Sequence, residues 1–129
     1  IVVCGQRGRV KYQSVPHSPI GYAEASGMLG EDEAMFHAER HLVSNVVGQH
    51  GMHVEVGPLI RLAPRDTLIL GSDGLFDNLY IGEIVDLVRC GPLDVAARKL
   101  QFACEERMQQ ETDRHPHKPD DLTFILYRR

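Results

Sequence analysis

The sequence predicts an α+β fold: antiparallel β-strands with helices packed on one face. Three observations point there. Short apolar or alternating runs of strand length lie near both ends of the chain and in its middle. Two stretches after residue 80 repeat their apolar residues at helical spacing. Gly, Pro, Asn and Asp punctuate the joins between them. The 129 residues make one small domain or a piece of a larger one, and 43% hydrophobic content is enough for a core.

In chain order, "IVVCG" and "GRVKYQSV" flank a Gly-Gln-Arg-Gly turn, which predicts a hairpin of strands at about 1–5 and 8–14. The chain starts in mid-strand on Ile1, so preceding sequence is expected to have been cut away. "VPHSPIGYAEASGMLG" is expected as a loop. Residues 31–47 predict a helix, with acidic residues in the first turn beside the positive end of the dipole and Met35, Ala38, Leu42 and Val46 as its apolar stripe. "MHVEVGPLI" alternates and predicts a strand, and "APRDTLILG" a turn followed by a short apolar strand. Helices are expected at 81–90, closed by Gly91-Pro92, and at 92–112. "TDRHPHKP" is expected as a polar loop, and "DDLTFILYRR" as the closing strand.

Composition excludes several functions. A net charge of −4 argues against nonspecific nucleic-acid binding, which needs a positive field. No apolar run approaches the roughly 18 residues of a membrane span. "IVVCG" is too short and lacks the basic leader of a signal peptide. Cys4, Cys90 and Cys104 form no C-x-x-C pair and are expected to be small core residues in a reducing compartment. A cytoplasmic protein, away from membranes, is therefore expected.

The chemistry centres on "LILGSDGLFDNL". Leu68, Ile69 and Leu70 are apolar enough to be buried on both faces, and such a strand holds a rigid loop at its end. Asp73 sits at the strand's exit, and Gly74 is expected to permit a tight turn or a positive φ. Asp77 and Asn78 add a second carboxylate and an amide. An ordinary turn with Asp and Asn in their favoured positions explains this stretch as well as a site does. "KPDDLTFILY" places Asp120 and Asp121 at the start of another apolar strand. If the two strands pair antiparallel, Asp73 and Asp120 meet at one sheet edge. Close carboxylates repel unless a cation joins them, and oxygen donors without Cys or well-placed His favour Mg²⁺ or Mn²⁺ over Zn²⁺.

Other motifs fit less well. In "HAERH", Glu39 falls about 200° around a helix from His37, so His37 and His41 match neither H-E-x-x-H nor H-x-x-E-H. His115 and His117 are expected as solvated loop residues, and His17 and His53 have no evident partners. "SDGLFD" lacks the acidic run of a calcium loop. It echoes the haloacid-dehalogenase motif, but Gly71 stands where the aspartyl nucleophile would be.

"LILGSDGLFDNL" followed by "KPDDLTFILY" resembles the metal-dependent protein phosphatase family of the 2C type, bacterial members in particular. "HSPIGYAEASGML" is similar to that family's D-H-S segment and the start of its mobile flap, "EDEAMFHAERHLVSNVVG" to the flap's A-x-x-H-x-x-R stretch, and "LAPRDTLILGSDGL" to its strand before S-D-G-L. The resemblance spans most of the chain. It implies the carboxyl-terminal part of a catalytic domain, over 1–129, with a flap-like subdomain inserted at 15–50. The fold it implies is half of an αββα sandwich.

The resemblance places Asp73 and Asp120 on the family's metal-binding aspartates, with no catalytic residue beyond them. Asp121 stands where the family usually has Asn. Gly74, Asp77, Asp121 and Ser72, with Thr123, are expected to support the site. The family's phosphate-gripping Arg, E-D pair, D-G-H-G-G segment and G-D-S motif are not in this sequence. What is implied is a protein serine/threonine phosphatase using two or three Mn²⁺ or Mg²⁺ ions, its phosphoprotein substrates made by an opposing kinase. The isolated chain is expected to be nearly inactive and to self-associate through exposed apolar surface. A catalytically silent phosphatase-like binding module is the alternative.

Overall fold

The structure, a computed structural model, describes residues 1–110 and 115–129. The chain divides into two compact units, one made of Ile1–Gln13 with Ile60–Arg129 and the other of Ser14–Leu59. The segment 15–50 lies within the second.

The first unit is built on a four-stranded sheet in the order β2-β1-β3-β4. Its strands are β1 (Val2–Cys4), β2 (Val10–Gln13), β3 (Thr67–Gly71) and β4 (Phe124–Arg128). Every neighbouring pair is antiparallel. β3 and β4 pair from Thr67↔Arg128 to Gly71↔Phe124, which puts the exit of β3 beside the start of β4. The expected side-by-side strands are thus found. Three helices follow or join them in this unit: a single turn at Asp73–Phe76, a helix at Ile81–Val88 and a long one at Leu93–Gln109.

Side chains alternate across the sheet. One face carries Val2, Cys4 and Ile69 into a core with Leu75, Leu79, Ile84, Val85, Val88, Ala96, Leu100 and Cys104, while Phe124 and Leu126 pack at its margin. The helices therefore cover that face. Arg128 and Thr67 fasten it from the strand side: the Thr67 hydroxyl donates to the Val88 carbonyl at 3.2 Å, and Arg128 donates to the carbonyls of Val88 and Gly91. On the other face Leu70, Ile125 and Tyr127 are exposed, at 36%, 62% and 51%. Among the described residues no helix is long and apolar enough to cross a membrane.

The second unit differs from its expected organisation. Two short helices, Pro19–Ala25 and Glu31–Phe36, are its only regular elements among the described residues. The first falls where a loop was expected. Its Ser18 cap accepts from the Gly21 N–H at 2.9 Å and Pro19 follows at the first helical position, a start signal present in the sequence. The expected 31–47 helix stops at Phe36. Ala34 is its only buried residue, while Leu42, Val43, Val46 and Val47 are exposed, so the predicted stripe has no core to bury against. The strand expected over 52–60 also fails to form. Met52, Val54, Val56 and Leu59 are exposed, and alternation without a partner strand gains no ladder. Residues 111–112 of the expected second long helix, and 112–114 of the polar loop, lie outside the described residues.

Two of the three cysteines are core residues as expected. Cys4 and Cys104 are buried, and burial pushes the Cys104 thiol up to about 11, which keeps it unreactive. Cys90 is exposed, at the end of the Ile81–Val88 helix.

Candidate metal centre

Beyond Gly71 the β3–β4 pairing continues through a side chain. The Ser72 N–H donates to the Thr123 carbonyl at 2.9 Å. The Ser72 hydroxyl accepts from the Thr123 N–H and donates to the Asp121 carbonyl, both at 3.2 Å. Ser72 and Thr123 thus stitch the exit of one strand to the start of the other.

Gly74 has a different role from the expected one. It is not among the glycines with positive φ, so left-handed backbone is not what it supplies. A Cβ there would lie 2.4 Å from the Asp121 carbonyl oxygen and 3.0 Å from its carbon. Only glycine lets the Asp73–Phe76 turn come this close to the 120–121 segment. Asp121 acts on the turn through this backbone carbonyl, while the residue as a whole is exposed.

These two segments bring three carboxylates to one point. The Lys118 ammonium lies 2.7 Å from Asp77 Oδ2, 3.2 Å from Asp120 Oδ2 and 3.4 Å from Asp73 Oδ2. Asp73 and Asp120, 47 positions apart in sequence, therefore converge on a single cation. Asp73 is the most open of the three, with its side chain 68% exposed against 33% for Asp120 and 20% for Asp77. Burial works to lower the pKa of Lys118, but the surrounding carboxylates outweigh it and hold the ammonium above the ordinary lysine value. The Asp120 carboxyl lies below the usual carboxylate range. Its own Oδ1 accepts from the Asp121 N–H at 2.8 Å, and Lys118 adds to the effect.

Two residues the sequence left without a role build this point. Asn78 is fully buried. Its amide N–H groups donate to the carbonyls of Gly74 and Lys118, each at 2.9 Å, and its Oδ1 accepts from the Lys118 N–H at 2.7 Å. One side chain thus ties the turn bearing Asp73 to the loop leading into Asp120. Arg107 braces the same turn, donating to the Asn78 carbonyl at 3.2 Å and to Glu83 Oε1 at 2.7 Å. The only advance signal was an Asn beside the second Asp of the motif. Its partner is 40 residues away and invisible without the strand pairing.

The bonds of His17, His37 and His41 are made within their own unit. His37 and His41 are not on a helix, which ends before them, and each bonds nearby backbone: the Glu39 N–H for His37 and the Ala38 carbonyl for His41. His17 has partners that the sequence did not reveal, Glu55 at 3.1 Å and Asn45 at 2.7 Å, with the His53 ring 5.0 Å away. Among the described residues no group of three or more His, Cys, Asp or Glu side chains is arranged to hold a metal ion.

No family model matches the chain. Two curated relatives from Arabidopsis thaliana do. It is 37% identical over 81 residues to Probable protein phosphatase 2C 67, covering 53% of this chain and 22% of that protein. It is 31% identical over 87 residues to Probable protein phosphatase 2C 55, covering 52% of this chain and 18% of that protein. Among solved structures, the PPM Ser-Thr phosphatase of Mycobacterium smegmatis, in complex with cacodylate, superposes with a TM-score of 0.63 at 28% identity, over 82% of this chain and 45% of that one. The chain is thus similar to protein phosphatases of the 2C type. The S. agalactiae serine/threonine phosphatase shares the fold, with a TM-score of 0.62 at 24% identity over 82% of this chain and 44% of that one. The chain spans about a fifth of the length of these curated relatives and under half of the two solved chains.

Proposed function

We propose that this chain is the carboxyl-terminal part of a metal-dependent protein serine/threonine phosphatase, acting on phosphoserine and phosphothreonine in proteins that a kinase has modified. In this reading the 15–50 segment is the inserted flap-like subdomain, and the protein works in the cytoplasm. The observation that carries the proposal is the convergence of Asp73 and Asp120 on one cation, within a fold shared with the PPM Ser-Thr phosphatases.

The residues fit a divalent ion as part of its shell. Asp73 and Asp120 offer hard oxygen donors at an open rim, and the Lys118 ammonium held between them supports the reading that the rim takes a cation. When bound, Mn²⁺ or Mg²⁺ would supply an acidified water and neutralise charge on a phosphoryl group. The chain's own residues set up that rim. Ser72 and Thr123 fix the spacing of the two strand ends, Gly74 allows their close approach, and the Asp121 N–H keeps Asp120 ionised. Further oxygen ligands come from other parts of the intact domain. The chain by itself therefore binds metal weakly and turns over little or no substrate.

The test is titration of the chain with Mn²⁺ beside its Asp73→Asn and Asp120→Asn variants. Weak binding that either substitution removes is the expected result. Binding indifferent to both would overturn the assignment. In the protein bearing the complete catalytic domain, Asp73→Asn is expected to lower Mn²⁺-dependent hydrolysis of a phosphothreonine peptide by at least about a hundredfold.

A further inference from the structure

We infer that Lys118 is an internal counter-cation of the acid rim, one that an incoming divalent ion must push back toward Asp77, and that it thereby sets how weakly the rim binds metal. The inference rests on the assignment of Asp73 and Asp120 as metal-binding groups.

The geometry gives Lys118 two kinds of contact. Its short one, 2.7 Å, is to Asp77, whereas those to Asp120 and Asp73 are 3.2 and 3.4 Å. Its backbone cannot drift away from the rim. Asn78, fully buried, grips both the N–H and the carbonyl of Lys118 and bonds Gly74 in the turn that carries Asp73. The side chain, about three-quarters buried, runs from this anchor to the centre of the three carboxylates.

Two opposed effects follow from one charge. With no metal bound, the ammonium offsets part of the repulsion among three carboxylates held at close range. When a dication sits between Asp73 and Asp120, the same ammonium is a like charge a few ångströms away. A unit charge about 5 Å from a dication, even in watery surroundings, weakens binding by about tenfold. Retreat to Asp77 relieves part of that repulsion, which gives the short contact a purpose distinct from the other two.

The test compares Mn²⁺ affinity by calorimetry, at fixed pH and ionic strength, for the chain and its Lys118→Met, Lys118→Gln and Lys118→Arg variants. Either neutral variant is expected to bind about tenfold more tightly, while Lys118→Arg stays near the parent. Melting in chelator and in Mn²⁺ supplies a second readout. The neutral variants are expected to melt lower than the parent without metal and to gain more from Mn²⁺, whereas a merely structural lysine would lower both melts alike. Mn²⁺ binding that Asp73→Asn abolishes but the neutral variants leave unchanged or weaken would overturn the role of Lys118 and spare the site. Absence of Mn²⁺ binding in parent and variants alike would overturn the site assignment and this inference with it.

Discussion

At the scale of single residues, Gly74 and Asp66 show how little freedom the rim and its supporting strand have. Replacing Gly74 with Ala puts a methyl group 2.4 Å from the Asp121 carbonyl oxygen, a backbone atom that cannot swing aside. Gly74→Ala is expected to destabilise the chain by about 1–3 kcal/mol. It should also weaken Mn²⁺ binding as the 120–121 segment moves away; urea unfolding and calorimetry check the two effects. Asp66, 3% exposed, precedes β3 and accepts from Lys11 at 2.6 Å and from the Ala63 N–H at 2.7 Å. The Lys11 hydrogen bond, outweighing burial, holds its carboxyl below the ordinary value. A depressed carboxylate stabilises the fold above its unfolded pKa of about 3.9, and that stability is lost as pH falls through the lower folded value. Unfolding free energy measured against pH should therefore fall less steeply on the acid side in Asp66→Asn than in the parent. The sequence pointed to Asp73 and Asp120 as candidates because a carboxylate at a strand end is a local pattern, and the structure brings the two together. It did not reveal Lys118 or the Asn78 clasp, whose meaning depends on groups about forty residues distant.

At the scale of elements, what was legible depended on whether an element had something to pack against. β3 and β4 pair as expected, and the Ile81–Val88 and Leu93–Gln109 helices form close to their expected limits, because their apolar sides meet one shared core. Met35, Ala38, Leu42 and Val46 repeat with equal regularity but meet no core, and the helix stops at Phe36. Periodicity states which face would be buried, and only the rest of the fold supplies the surface that buries it. Leu100 is fully buried in the long helix, among the residues that tie that helix to the sheet. Leu100→Ala is expected to cost about 2–5 kcal/mol. The measurement is the denaturation midpoint, with the slope unchanged if the loss is a cavity and not a loosened fold.

At the scale of the whole molecule, the sheet has one covered face and one that exposes Leu70, Ile125 and Tyr127. Leu70 and Ile125 are register partners, and Tyr127 pairs with Leu68 on the same side, so the exposed residues form a patch and not scattered points. Such a patch favours association in water. Sedimentation velocity of the isolated chain should show a concentration-dependent dimer or larger species, and Ile125→Lys with Tyr127→Lys should shift it toward monomer. A monomer at every concentration would count against an apolar face that needs a cover. The antiparallel sheet and its helix-covered face were readable from strand alternation and helical spacing. Which strands adjoin which was settled by long-range pairing alone, and it is this pairing that brings the two acidic segments together.

Whether Asp73 and Asp120 share one divalent ion is tested by anomalous diffraction from crystals of the chain grown with Mn²⁺. A manganese peak is expected within about 2–2.5 Å of a carboxylate oxygen from each residue, with the Lys118 ammonium withdrawn toward Asp77. A peak bound by one of the two aspartates alone, or placed elsewhere on the molecule, would contradict a shared ion.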